Sequence, residues 1–64
     1  MAKSDALAAR LNKLAPGVDV SGSDLRLAGL TDAEIEQRIK SNQVTQEWLL
    51  GVQAMAQVKT ILLL

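Results

Sequence analysis

The nineteen residues QEWLLGVQAMAQVKTILLL, from Gln46 to Leu64, contain only two charged side chains, Glu47 and Lys59, and end on four aliphatic ones. No proline interrupts the chain after Gln43, so 43–64 reads as one long helix, about 31 Å at 1.5 Å per residue. Gly51 is its weak point. A glycine inside a helix costs about 1 kcal/mol relative to alanine, which makes a kink there the alternative to a continuous rod.

Sorted by helical angle, the apolar residues of this segment fall on three sides. Val44, Trp48, Val52, Met55 and Leu62 form one stripe, the side expected to pack on the rest of the chain. Leu49, Ala56 and Leu63 make a second side, and Leu50, Ala54, Ile61 and Leu64 a third. Two shorter helices can shield little more than one side, and each Leu or Ile left in water forgoes about 1.5–3 kcal/mol. The expected partner interface is therefore Leu49, Leu50, Ala54, Ala56, Gln57, Ile61, Leu63 and Leu64. Gln46, Gln53, Gln57 and Thr60 are neutral polar groups that either pair across a contact or face water. Trp48 has two readings as well, a centrepiece of the domain's own core or an anchor for a partner.

Sixty-four residues make at most one domain, with a core too small to be comfortable alone. With no Cys and no His, disulfides and metal sites built on those ligands are excluded, which leaves oligomerisation or docking as the usual supplement to the core. Seven basic and seven acidic residues balance to zero, so the chain lacks the positive field of most nucleic-acid binders, and one aromatic residue gives no stacking platform for bases. Twelve of the fourteen charges precede Ser41, so the chain has a wet half and a dry half. No secretion signal begins the sequence, and Gln53, Gln57 and Lys59 interrupt the last seventeen residues, which disfavours a membrane span.

The wet half reads as three shorter units. Ser4 can cap a helix at 5–14 whose apolar side is Leu7, Leu11 and Leu14, stopped by Pro16 and Gly17. Residues 16–30 are a loop or a short turn: Val18 and Val20 alternate as in a hairpin, but a helical turn capped by Ser23, with Leu25 and Ala28 inward and Gly29 at its end, suits the helical neighbours better. LTDAEI is a capping box, Thr31 with Glu34, inside a Leu30–Ile35 hydrophobic staple, and it starts a helix at 32–40. Asn42 then tolerates the left-handed conformation that ends a helix. The fold class is all-α, a three- to four-helix domain with a long apolar C-terminal helix.

The carboxylates of Asp32, Glu34 and Glu36 lie in a first helical turn, where the dipole accounts for them. There is no His or Cys to move a proton or attack a carbonyl, and Gly17, Gly22 and Gly29 are too dispersed for a phosphate loop. No catalytic residue, cofactor or metal ligand is assigned, and the chain is not expected to be an enzyme.

The stretch LTDAEIEQRIKSNQVTQEWL resembles a helix-turn-helix DNA reader in Leu30, Thr31, Glu34, Ile35, Ile39 and Trp48. That resemblance implies a regulator using residues 30–48, with Gln46 reading an adenine and Arg38 and Lys40 touching the backbone. The chain departs from the pattern at Glu36, where a small residue is usual, and at Lys40, where the turn glycine stands. Its would-be recognition helix offers Gln43, Thr45, Gln46 and Glu47 but no Arg or Lys. The favoured expectation is a non-catalytic structural or adaptor subunit that assembles through its last helix into a homo-oligomer or larger protein complex, such as a virion or secretion-type particle built in the cytoplasm. Nucleic acid and membrane are the disfavoured partners, and no small-molecule substrate is evident.

Overall fold

A computed structural model describes residues 2–63. Four helices follow one another: α1 Lys3–Leu14, α2 Gly22–Leu27, α3 Asp32–Lys40 and α4 Gln46–Leu63, with no strand among the described residues. The protein is a small all-helical domain. In it α2 packs against both α1 and α4, and α3 lies against α1.

Helix α1 starts two residues earlier than its sequence suggests. Ala2 precedes it without a side-chain cap, and Ser4 lies inside the helix, buried, its hydroxyl accepting a hydrogen bond from Arg26 Nε at 3.3 Å. The buried side of α1 is Ser4, Leu7, Ala8 and Leu11, continued by Ala15, while Leu14 turns outward and is half exposed. The leucines alone pointed to a face rotated from the true one. Small residues at positions 4, 8 and 15 let neighbouring backbone come close, so the packed stripe follows them. The closest approach is at Gly22, where an added Cβ would lie 2.9 Å from Asp5 N and 3.0 Å from Ser4 C.

Residues 18–20 explain the strand-like alternation of Val18 and Val20. Both valines are buried and Asp19 is exposed, as on one edge of a strand, but no second strand is present. The amide of Asn12 takes its place. Asn12 Oδ1 accepts from Val20 N at 2.9 Å and Asn12 Nδ2 donates to Val20 O at 2.8 Å, so one side chain pairs both backbone groups of Val20. Ser21, not Ser23, then caps α2. Its hydroxyl accepts from Asp24 N while Asp24 returns a carboxylate oxygen to Ser21 N, a second capping box besides that of Thr31 and Glu34.

Both short helices end on the same device. Gly29 (φ 80°) follows α2, with Leu30 N donating to Leu25 O and Gly29 N to Arg26 O; Asn42 (φ 59°) follows α3, with Gln43 N donating to Arg38 O and Asn42 N to Ile39 O. Each left-handed residue turns the chain within one step. Thr45 then opens α4 by accepting from Trp48 N at 3.1 Å, so the last helix begins at Gln46 rather than at 43. It runs unbroken through Gly51.

Candidate interaction surface

Helix α4 spans 18 residues, about 27 Å, whereas α2, its main neighbour, spans six, about 9 Å. This mismatch decides which parts of α4 are covered. Leu49, Val52 and Ala56 are buried in a core completed by Leu7, Leu11, Leu25 and Ile35, with Val18 and Val20 from the linking segment. Beyond Ala56 every described residue of α4 is exposed.

Two residues expected at a partner interface are therefore corrected. Leu49 and Ala56 are 0% and 1% exposed within the chain itself, so neither is available to a partner. Conversely, Met55 and Leu62, read as part of the internal stripe, are 52% and 78% exposed. The core side of α4 is displaced from the one that the bulky residues suggested, because small Ala56 faces α2 as small Ala8 does on α1. Leu50, Ala54, Gln57, Ile61 and Leu63 lie exposed as expected. Leu64 falls outside the described residues.

The glutamine row divides. Gln46 Nε2 donates to the Pro16 carbonyl and Gln53 Nε2 to the Asp19 carbonyl at 3.1 Å, so these two tie α4 to the segment between α1 and α2. They satisfy backbone acceptors of a linker that has no ladder of its own. Gln57 is exposed, and Thr60 donates its hydroxyl to Ala56 O within the helix.

What remains on the outside of α4 is apolar. Leu50, Met55, Val58, Ile61, Leu62 and Leu63 are all more than half exposed. Val58 escaped the sequence reading because it lies between the three sides chosen there; its place beside Ala54 and Ile61 on the helical wheel was the available signal. Along one flank of this surface runs a cleft of about 290 Å³, formed by Ala28 and Leu30 from the α2–α3 link and by Glu47, Trp48, Gly51, Val52 and Met55 of α4.

Trp48 sits at the edge of this cleft, half buried against the core, with the Arg38 guanidinium 4.4 Å from its ring centroid. Arg38 Nη1 also donates to Gln43 O at 2.9 Å. The two side chains a helix-turn-helix reading would use, Arg38 for phosphate and Gln46 for adenine, are thus held by Trp48, the Gln43 carbonyl and the Pro16 carbonyl. Electrostatics adds little. Lys3 and Glu36 pair at 3.3 Å in the open, where such a pair is worth little, and no cluster of acidic side chains among the described residues can hold a metal ion. No helix among the described residues is long and apolar enough to cross a membrane.

Fold and surface together define a class, a miniature four-helix domain whose last helix projects an uncharged apolar face beyond its own core. Comparison with protein-family models, curated proteins and solved structures finds no match to this chain.

Proposed function

We propose that the protein is a non-catalytic subunit that assembles through the exposed face of α4 into a homo-oligomer or a larger protein complex. The observation that carries this reading is the group of six large aliphatic side chains, each more than half exposed, on a single helix. Together they present on the order of 600 Å² of apolar surface, at the top of the range a soluble monomer shows as one patch. Covering it removes that area from water, and no charge on the outward face between Gly51 and Leu62 has to be desolvated when it is covered.

The test uses the chain in its native extract. By size-exclusion chromatography, the wild-type protein elutes with a mass well above its own 6.9 kDa, and the double change Ile61→Asp, Leu62→Asp moves it to the monomer position while helical circular dichroism is retained. A wild-type chain that runs as a monomer in that extract would sink the reading.

A further inference from the structure

We infer that the occupant of the α4 face is a second copy of this chain, packed antiparallel along α4. This rests on the assembly reading above and adds the partner, the direction and the register. Three observations select it. The first is area: about 600 Å² per copy approaches the roughly 800 Å² per partner that a stable interface buries, so one helix of the same length covers the patch without a larger partner.

The second is charge. A face meant for a different protein or for anionic lipid carries ionic groups that choose the partner, and a helix lying on a membrane is rich in Lys and Arg along its polar side. On α4 there is only Lys59, and Glu47 is the lone charge at the rim of the face. A parallel pair would set the two Glu47 side chains together and align the helix dipoles. An antiparallel pair sends the glutamates to opposite ends and opposes the dipoles.

The third is shape. Toward its N-terminal end the face is small, Gly51 and Ala54, and toward its C-terminal end it is large, Val58 and Ile61. Gly51 has open space where a Cβ would stand. Antiparallel pairing about a two-fold axis sets Gly51 against Ile61 of the second copy, Ala54 against Val58 and Leu50 against Leu62, so that each bulky side chain meets a small one or a fellow leucine. The same register brings the projecting C-terminal turn of one copy over the mouth of the cleft beside Trp48 and Gly51 in the other. One rotation thus fills the cleft and covers the overhang of both copies.

The experiment uses the purified full chain, which has no native cysteine. Sedimentation equilibrium from about 10 µM to 1 mM is expected to give twice the chain mass, with Ile61→Asp raising the dissociation constant about a hundredfold. For direction, a ¹⁵N-labelled Leu50→Cys chain is mixed with an unlabelled Leu62→Cys chain and oxidised. The mixed disulfide should dominate by mass spectrometry; dominance of the two like-with-like disulfides overturns the antiparallel arrangement. A purified chain that stays monomeric throughout, yet still enters a larger complex in the native extract, overturns the second-copy inference and leaves the assembly reading standing. So does a monomer that co-sediments with phosphatidylcholine–phosphatidylserine vesicles in place of pairing with itself.

Discussion

Leu49, Ala56 and Leu63 lie on one line of α4, seven residues apart, and the first two meet a different environment from the third: they are 0% and 1% exposed, Leu63 77%. Neither propensity nor hydrophobicity separates them. The difference is what stands opposite. Helix α2 and the 18–20 segment face the first half of α4, and the two glutamines that pin that segment, Gln46 and Gln53, both lie in that half. After Ala56 the covering chain has ended and the helix continues alone. Burial along a helix is set by the length of its neighbours, not by its own pattern.

The largest effect expected from this contrast comes from truncating its two ends alike. Leu49→Ala removes a fully buried side chain from a close-packed core and should cost about 2–5 kcal/mol, enough to unfold much of a domain this small. Leu63→Ala should change the stability of the monomeric Ile61→Asp background by less than about 0.5 kcal/mol, since nothing within the chain loses contact. Urea unfolding of both in that background measures the difference. Equal costs would mean that the C-terminal half has cover within its own chain.

Asn12 supplies the next comparison, because it works on the covered side through polar groups alone. Asn12→Ala leaves the N–H and the C=O of Val20 without partners in a part-buried site, a cost of about 1–3 kcal/mol, whereas Gln57→Ala on the exposed side should be within about 0.5 kcal/mol of wild type. Hydrogen exchange should localise the first effect to the amide of Val20 and its neighbours. Uniform loss of protection across all four helices, with Val20 no worse than the rest, would argue against the clamp.

Asn12 also marks where sequence reading stops. The capping box of Thr31 and Glu34, the left-handed Asn42, the Gly29 stop and the inward Leu25 were all legible, because each is a local arrangement of a few residues with one favourable geometry. The Asn12 clamp joins residues eight apart and the Gln53 tie residues thirty-four apart, and no local rule pairs them. The choice of buried side on α1 and α4 failed for a related reason. Bulk was taken as the sign of burial, but in a domain this thin the small residues Ala8, Ala15 and Ala56 mark the faces where helices approach, and Leu14, Met55 and Leu62 turn away. The apolar excess of α4 was visible at once; which residues make it up needed the neighbours.

Gly51 stands between the two regimes, outward-facing on the part of α4 whose opposite side is covered. Its Cβ position is empty and its backbone helical, so Gly51→Ala should raise monomer stability by about 1 kcal/mol through helix propensity. In the antiparallel pair the same methyl meets Ile61 of the other copy, and the dissociation constant should rise. Stability measured in the Ile61→Asp background and dissociation measured in the wild-type background therefore move in opposite senses. A gain in both would place Gly51 outside the contact.

The smallest effect expected is an acid one, and it separates the wet half from the dry half. Glu34 Oε1 accepts from Thr31 N at 3.0 Å and from the Thr31 hydroxyl at 2.9 Å, and these bonds, the backbone one first, hold its carboxyl below the ordinary carboxylate range. A carboxyl depressed in the folded state adds stability above its unfolded pKa, and that addition disappears as the pH falls through the folded value. Acidification should therefore loosen the first turn of α3, seen as faster amide exchange at Glu34 and Ile35, and Glu34→Gln should abolish the pH dependence there. Past Gly51 the only ionisable side chain in α4 is Lys59, so the amides of residues 58–63 should show no such acid-induced loosening once exchange is corrected for its intrinsic pH dependence. If they loosen together with α3, the free end of α4 depends on contacts with the charged half of the molecule, and the line drawn at Ala56 is in the wrong place.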